Sequence, residues 1–514
     1  MPETEDVMEN RLEEIMSRDP LVVPPSERLA QAAAEMQARS VGAAVVVEDA
    51  HVVGILTERD LARAAAEGAD PAGAAVASWM TSAPLTMAPS DEPTQALDRM
   101  LDRNFRHIPV CEGERLVGIV SLRRLTRAAS LGRVDPWRPG TKRGLENVTV
   151  GTTRLSHIDG ARGRLVLAGY DATELALHRS FEDVWALLHD GVLPGDDSFA
   201  RRMGTLRAGA IDADVLAAIA RSGRPTGGKA VAARPLMLQL QAALAATGAL
   251  WSLAPWHERD PEEASEEALR VAAILPVLVA ALWRLGRGLA PVAPDPALSH
   301  TVDYLRMLHG ERPDADQVRG LERYLILTAE HGMNASTFAA RVIASTGADV
   351  AAAVTGAAGA FSGPLHGGAP SLVLDMFDDI GSTERVDAWL DTALAGGRRL
   401  MGFGHRVYRA EDPRAACLRD TAAELGGPRV ALARLVEEKA LARLRAAKPN
   451  RALYTNVEFW AAIVLERVGV PRELFTPTFA VARVAGWTAH ILEQVRDNRL
   501  IRPTSEYVGP PLAT

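Results

Sequence analysis

The sequence predicts a multidomain protein in which a small α+β part precedes a large and mainly helical body. The chain has 514 residues, more than a single hydrophobic core usually holds. Aromatic residues make up only 5% of it, and the abundant Ala, Leu and Arg favour helices. Runs of β-branched residues are concentrated before residue 130, where an internal repeat also lies. These observations predict a strand-containing start and a helical remainder.

An ungapped repeat with a period of 64 residues occupies the start of the chain. Met16 matches Met80, and the Val-Gly-Ile stretch at 53–55 matches the one at 117–119. A repeat that keeps its register over this distance is typical of two copies of one supersecondary unit.

Each copy is predicted to contain a short extended piece, a helix, two β-branched strands and a second helix. In the first copy the helix covers 27–40, and the strands cover 43–47 and 52–56. The second strand leads into Thr57 and Asp60, which stand where the next helix begins.

With these features the copies resemble a pair of cystathionine-β-synthase-type (CBS) motifs. The repeats cover about 12–66 and 76–130 and define a predicted domain of residues 1–130. The resemblance implies that an adenine nucleotide, AMP, ADP or ATP, binds as an effector in the cleft between the copies. It also implies that Thr57 and Asp60 supply the ribose and phosphate contacts.

The same two residues have an explanation that needs no ligand. Thr57 as N-cap, with Asp60 three positions on, forms a capping box that satisfies amides at the helix end. Both interpretations hold together. In the second copy Arg124 stands where Asp60 stands in the first, so the acid for ribose is missing and the nucleotide is expected at the first cleft.

A linker is predicted at residues 131–144, which hold two prolines and three glycines and break every periodic pattern. Residues 145–514 form the second predicted domain, with helical segments separated by Gly and Pro and with short strands within 147–166. The predicted helices include 180–189, 262–285, 321–330, 430–448 and 479–500.

Composition argues against several classes of protein. Cys111 and Cys417 lie far apart, which excludes a disulfide framework and a cysteine metal site and favours a reducing, cytoplasmic setting. The acidic first residues do not read as a signal peptide, and the apolar run 271–283 is too short to span a bilayer. A formal charge of −8 without a long basic tract argues against a nucleic-acid partner. No membrane association and no metal site are therefore predicted.

Three of the twelve histidines lie in unusual settings. His366 lies in Gly-Pro-Leu-His-Gly-Gly-Ala, His405 in Gly-Phe-Gly-His-Arg-Val-Tyr, and His331 in Glu-His-Gly-Met-Asn. Glycine and proline permit backbone shapes that allow close approach of a ligand. Taken singly, each histidine is better explained as part of a turn or, for His331, as a helix cap.

Four stretches together identify the body as a member of the citrate synthase family, a resemblance that runs over about 145–510. They are Asn-Ala-Ser-Thr-Phe at 334–338, the His366 stretch at 363–369, Gly-His-Arg-Val-Tyr at 404–408 and Asp-Pro-Arg at 412–414. Their combination and order are highly specific.

The resemblance implies a mainly α citrate synthase fold whose large domain carries an inserted small subdomain at about 371–454. The implied enzyme is a transferase that converts an acyl group into an alkyl group: it condenses acyl-CoA with oxaloacetate, as in the tricarboxylic acid cycle, and requires no cofactor. The product is citrate or 2-methylcitrate, because one methylene in a pocket is worth only about 1–3 kcal/mol and leaves acetyl-CoA and propionyl-CoA unresolved. A homodimer or higher homo-oligomer is also implied.

The resemblance assigns a role to each histidine. His366 would donate to the thioester oxygen while a carboxylate removes the α-proton of the acyl-CoA. His405 would polarise the ketone of oxaloacetate, and His331 would help to hold that substrate.

Three arginines stand where the family binds the carboxylates of its substrate: Arg414, Arg483 and Arg502. The planar, permanently charged fork of arginine suits carboxylates better than lysine does. In relatives the last of them reaches the partner subunit, which would make a dimer necessary for activity. Arg483 is otherwise explained as a snorkelling or interface residue, and Arg502 as an ordinary exposed one.

The catalytic base departs from the family pattern, because Glu458 stands where relatives usually carry Asp. Its reference pKa of about 4.3 is close to the roughly 3.9 of Asp, but the side chain reaches further. A misplacement on the scale of an ångström costs about 100-fold in rate. Either the site is built around Glu458, which the intact histidines and arginines favour, or the chain is a nucleotide-sensing regulatory protein with a weak or inactive body.

Overall fold

The computed structural model describes residues 11–103, 105–125, 148–209, 213–222, 236–363, 366–367, 369–405, 407–447 and 453–505. The chain divides into two compact units, Met1–Val150 and Gly151–Thr514. The predicted linker, 131–144, lies outside the described residues. The predicted fold class is confirmed: a unit of strands and helices is followed by a mainly helical one.

The N-terminal unit contains a six-stranded sheet in the order β1-β2-β3-β6-β5, with β4 paired to β3. Its strands are β1 (Val22–Val23), β2 (Ala43–Glu48), β3 (His51–Thr57), β4 (Thr81–Ser82), β5 (His107–Glu112) and β6 (Arg115–Ser121). Its described helices are α1 (Leu12–Ile15), α2 (Leu29–Ala38), α3 (Glu58–Ala66) and α4 (Pro93–Asp102). Both predicted strands of the first copy are confirmed.

The two copies exchange their leading segments. A side chain on Gly54 would meet the sulfur of Met80 at 2.3 Å, and one on Gly118 would meet the sulfur of Met16 at 2.6 Å. Met16 accordingly belongs to the apolar core of the second copy, while Met80 packs against the core of the first. Repetition of Met and Gly in the sequence therefore reflects one packing contact made twice.

The C-terminal unit opens with a three-stranded sheet of β7 (Ser156–Asp159), β8 (Arg164–Leu167) and β9 (Tyr170–Asp171). Helices follow around one large apolar core. They are α5 (Ala172–His178), α6 (Phe181–Asp190), α7 (Ser198–Arg207), α8 (Ala213–Ser222), α9 (Leu236–Leu250), α10 (Pro261–Gly286), α11 (His300–His309), α12 (Ala315–Thr328), α13 (Ala335–Ser345), α14 (Val350–Phe361), α15 (Ala369–Ile380), α16 (Val386–Ala395), α17 (Pro413–Leu425), α18 (Pro428–Ala447), α19 (Val457–Arg467) and α20 (Phe475–Arg496).

The long helix α10 begins where the sequence places a proline after a good N-cap. The carboxylate of Asp260 accepts from the amides of Glu262 and Glu263 at 2.9 and 2.8 Å, and Pro261 takes the first helical position. By length and composition α10 could cross a membrane, but 78% of its most apolar window is buried inside the protein. A core helix passes the same test, and α10 lies in the apolar core of this unit. The helix is longer than the apolar run 271–283 that the sequence predicts to be too short for a bilayer.

Two predicted helices, 321–330 and 479–500, are wrong at both ends, and the second is observed as α20 (Phe475–Arg496). The observed α12 begins earlier because Asp314 and Gln317 form a capping box, with reciprocal hydrogen bonds of 2.8 and 2.9 Å. It ends at Thr328, which leaves Glu330 and His331 on the connection to α13. The shift places Glu330, the last residue of the predicted helix, on the connection that also holds His331.

Candidate active site

His331 lies on the short connection between α12 and α13. Gly332 follows with a φ of +60°, a conformation that glycine adopts without strain. Asn334 then caps α13 by accepting from the Thr337 amide at 3.1 Å. The sequence around His331 thus ends one helix, turns sharply and starts the next, which holds the imidazole at a fixed point.

The His331 ring contacts a second histidine and a tyrosine. Its centroid lies 5.5 Å from that of His405, and its Nε2 lies 3.3 Å from the Tyr408 hydroxyl. Burial, together with Arg414, Arg483 and His405, holds the pKa of His331 well below its ordinary value. The ring is therefore neutral near pH 7.

The protonated nitrogen of His405 follows from its hydrogen bonds. Nδ1 accepts from the amides of Val407 and Tyr408 at 3.0 and 3.2 Å, so a neutral ring carries its proton on Nε2. Burial and the nearby Arg414 lower the pKa of His405 to about 4. His405 consequently presents an N–H donor across the whole neutral range.

His366 is fixed in the opposite tautomer. The Ser336 amide donates to its Nε2 at 3.3 Å, and the Ser336 hydroxyl lies 2.8 Å from the same nitrogen. The proton of the neutral ring is therefore on Nδ1. Burial and Arg483 lower the pKa of His366 to about 4, and the ring packs edge-on against Phe361 at 4.9 Å.

Asp412 ties Arg414 to the start of α19. Its carboxylate accepts from Nε and Nη2 of Arg414 at 3.0 and 2.8 Å and from the Val457 amide at 3.2 Å. Burial disfavours the Arg414 cation, but Asp412 and Tyr408 outweigh it and raise the pKa of the guanidinium. Arg414 therefore stays charged although it is buried.

Glu458 occupies the first turn of α19. The Asn456 side chain caps that helix by accepting from the Glu458 amide at 3.1 Å. Burial raises the pKa of Glu458 to about 7, although Arg414 and Arg399 act in the opposite direction. A carboxylate with this pKa is a competent general base near neutral pH.

Arg483 is buried on α20 and completes the cationic side of the site. Its Nε donates to the Thr328 carbonyl at 2.7 Å, and its guanidinium lies 4.9 Å from the Phe479 ring. Burial lowers the pKa of Arg483 to about 10, so the charge persists at neutral pH. Arg483 acts on the pKa of both His331 and His366, which places it within electrostatic range of both.

Arg414 lies within electrostatic range of His331, His405 and Glu458. The structure therefore gathers six of the predicted residues around the Arg414 and Arg483 guanidinium groups. Arg502 is not among them: it is exposed, with no hydrogen bond or ion pair to the residues that the structure describes.

A buried hydrogen-bond network next to His331 is not predicted from the sequence. Oε1 of Glu330 accepts from His490 Nε2 and the Ser156 hydroxyl, both at 3.0 Å. Arg341 contacts His490 Nδ1 at 3.1 Å. Burial would raise the pKa of Glu330, but His490 and Arg483 outweigh it and lower it. Glu330 stands next to His331 in the sequence, and that adjacency was the available signal.

Thr57 and Asp60 form the expected capping box at the start of α3. Asp60 Oδ2 accepts from the amide and hydroxyl of Thr57 at 2.9 and 2.7 Å, and Oδ1 lies 3.1 Å from Arg63. Capping is therefore confirmed, and the nucleotide contacts stay a prediction.

Arg124 has a structural task in the second copy. Its guanidinium donates to the carbonyls of Ile15 and Met16 at 3.1 and 3.3 Å. In the first copy, Arg63 donates to the Trp79 carbonyl at 2.7 Å, and Trp79 is the repeat equivalent of Ile15. Arg124 therefore does in the second copy what Arg63 does in the first.

Among the described residues, no group of three or more His, Cys, Asp or Glu side chains is placed to hold a metal ion. The site is an arrangement of donors, cations and one base, which suits acid–base chemistry on an anionic substrate.

Comparison with known families assigns both units. Residues 144–504 match the citrate synthase C-terminal domain model, and residues 12–67 and 76–131 each match the CBS domain model. Both resemblances inferred from the motifs are confirmed.

Curated relatives and solved structures support the same assignment of the C-terminal unit. Citrate synthase of Haloferax volcanii is 39% identical over 72% of this chain and 96% of its own. 2-Methylcitrate synthase of Mycobacterium tuberculosis is 37% identical over 75% and 94%. The citrate synthase of Thermoplasma acidophilum, solved with carboxymethyl coenzyme A and oxaloacetate, superposes with a TM-score of 0.65 at 30% identity, covering 73% of this chain and 97% of that one.

Proposed function

The chain belongs to the citrate synthase family, and we propose that it condenses oxaloacetate with acetyl-CoA or propionyl-CoA and hydrolyses the thioester formed. The observation that carries this proposal is the pair of fixed tautomers. His366 offers Nδ1–H and His405 offers Nε2–H, while the raised pKa of Glu458 suits a base. Two donors and a base are what the two carbonyl groups and the α-proton need.

In the proposed mechanism the Glu458 carboxylate takes a proton from the α-carbon of the acyl-CoA. His366 donates a hydrogen bond to the thioester oxygen and stabilises the enolate. The enolate carbon forms a bond to the ketone carbon of oxaloacetate while His405 donates an Nε2–H hydrogen bond to the ketone oxygen. The alkoxide formed there takes up the proton that Glu458 removed, which gives the hydroxyl and leaves Glu458 ionised again. Water then cleaves the thioester and releases CoA.

The two carboxylates of oxaloacetate are assigned to cations, with His331 as a further contact. Arg414 and Arg483 are buried and charged, so little side-chain entropy is lost when they bind. Arg502 is exposed, which is compatible with a role across a homodimer, where the family resemblance assigns it to the partner subunit's site. The active form is then a cytoplasmic homodimer or higher homo-oligomer.

Adenine nucleotide is the proposed effector, bound by Thr57 and Asp60 of the first CBS copy. In the second copy, Arg124 stands at the position equivalent to Asp60 and donates hydrogen bonds to backbone carbonyls. Calorimetric titration of AMP, ADP and ATP into the full chain tests this, with one site expected and Asp60→Ala expected to weaken it. Unchanged binding to Asp60→Ala would move the site elsewhere.

The catalytic proposal is tested by CoA release from the purified chain. Acetyl-CoA or propionyl-CoA is expected to release CoA only when oxaloacetate is present, without added metal. The faster acyl-CoA identifies the substrate. No release by a folded oligomer with either acyl-CoA would instead favour the nucleotide-sensing protein with an inactive body.

A further inference from the structure

The β7–β8 hairpin contacts both loops that carry oxaloacetate-binding side chains. Strand β7 reaches the connection that holds His331, and the hairpin turn reaches the segment between His405 and Arg414. This hairpin is also where the chain enters the catalytic unit, since the unit begins at Gly151.

The Ser156 hydroxyl makes the contact on the His331 side. It donates to Glu330 Oε1 at 3.0 Å and accepts from the Gly332 amide at 3.1 Å. His331 lies between these two partners in the chain, so one hydroxyl holds both of its neighbours. The Glu330 carboxylate is fully buried, and its other oxygen, Oε2, has no partner among the described residues.

The turn makes the contact on the other side. The Gly160 carbonyl accepts from the amides of Arg409 and Ala410 at 2.8 and 3.3 Å. A side chain on Gly160 would lie 2.3 Å from the Val407 carbonyl oxygen, which explains why glycine is needed there. Because the hairpin is hydrogen-bonded along its length, with Ser156 opposite Leu167, the two contacts move together.

The segment before β7 is held by a buried ion pair. The Arg154 amide donates to Glu493 Oε1 at 2.8 Å, and Glu493 Oε2 pairs with Arg341 at 2.6 Å. Arg341 in turn contacts His490, the other hydrogen-bond partner of Glu330 Oε1. Displacement of the entering chain therefore disturbs Glu330 from two directions.

We propose that Ser156 is a positioning residue for oxaloacetate binding. It acts through Glu330 and Gly332 on His331. The inference deepens the proposed function, on which it rests.

Ser156→Ala removes the hydroxyl, and Ser156→Thr keeps it. We expect oxaloacetate affinity, measured by calorimetry in the absence of acyl-CoA, to fall about 10-fold in Ser156→Ala, the effect of one hydrogen bond to a charged group. The KM for oxaloacetate should rise accordingly, with a smaller change in kcat, and Ser156→Thr should restore most of the loss. His157→Ala is the matched control, because His157 is the next residue on β7 and is exposed.

The outcomes separate the inference from the proposed function. If the wild-type chain does not bind oxaloacetate, the proposed function fails. If it binds and a folded Ser156→Ala binds equally well, the positioning role is overturned. Thermal melting of each variant establishes folding. If Ser156→Ala does not fold, and Ser156→Thr restores neither stability nor oxaloacetate affinity, a role of the hydroxyl specific to the substrate is also overturned.

Discussion

The carboxylate of Asp412 holds the guanidinium of Arg414 through two hydrogen bonds, and both side chains are buried. Breaking a buried pair by removing one charge costs about 3–5 kcal/mol, because the remaining charge has no partner. Asp412 also accepts from the amide next to Glu458. One carboxylate therefore orients the guanidinium that we propose to bind substrate and the helix that carries the proposed base.

We accordingly expect Asp412→Asn to lower both the melting temperature and the affinity for oxaloacetate, the latter by about 10-fold or more. Glu411→Gln is the control, because Glu411 is the preceding residue and forms a partly exposed pair with Arg419, and such pairs contribute little. Equal oxaloacetate affinities in the two variants would contradict the assigned role. Calorimetry and thermal melting measure both effects.

Glu458→Gln should lower kcat by about 100- to 10,000-fold, the range for loss of a general base, while oxaloacetate binds nearly as before. The base acts on the acyl-CoA in the transition state and not on the oxo acid. Glu458→Asp should also be slower than wild type if the site is built for the longer side chain. A strong rise in rate with Asp would refute that adaptation. Glu466→Gln, on the same helix and paired with Arg429, should leave kcat unchanged.

The pH dependence of the reaction should follow Glu458. Only the ionised carboxylate accepts a proton, and its pKa is raised to about 7, so kcat/KM for the acyl-CoA should fall as the pH falls through 7. His366 and His405, with pKa values of about 4, stay neutral over that range and add no second step. A profile that is flat between pH 6 and pH 8 would exclude Glu458 as the titrating base.

A buried pair of carboxylates outside the candidate active site, Glu182 and Glu322, predicts that the protein loses stability at alkaline pH. Glu182 accepts from the His300 amide at 2.6 Å, and Glu322 accepts from the Phe181 amide and the Thr301 hydroxyl, so the pair joins α6, α11 and α12. Burial and the charge of Glu182 raise the pKa of Glu322 to about 8.

The raised pKa of Glu322 determines how folding stability changes with pH. The folded state holds the Glu322 proton more tightly than the unfolded chain, so the stability it contributes is complete below the ordinary value of 4.5 and is lost as the pH rises to about 8. We expect the melting temperature to drop by a few degrees between pH 6 and pH 9, and Glu322→Gln to reduce that drop. Glu311→Gln, at an exposed position, serves as the control, and an equal drop in all three proteins would contradict the assignment.

Sequence reasoning predicted the fold class because repeats, prolines and glycines act locally. The 64-residue period, the linker composition and the glycine-rich histidine stretches are visible without any tertiary contact. Helix ends depend on caps as well as on apolar periodicity. The helix α12 begins at the capping box of Asp314 and Gln317, ahead of the apolar run on which the predicted helix rests.

The candidate site was predicted as a set of residues and not as an arrangement. Nothing in the sequence tells which nitrogen of His366 is protonated, because that depends on the Ser336 amide thirty residues earlier. The role of Asp412 in orienting Arg414, and that of Ser156 beside Glu330, likewise depend on contacts between distant segments. Such contacts form only when several helices pack together.

In the N-terminal unit the methionine of each copy packs in the other copy, and this packing has a consequence for how the unit evolves. Met16 fills a space floored by Gly118, and Met80 fills the matching space floored by Gly54. Deleting either copy would remove the methionine that fills the space in the remaining copy and would leave the remaining methionine without the space that it fills, so a halved unit is expected to aggregate. Gain or loss of this CBS pair in evolution is therefore expected to involve both copies in one event.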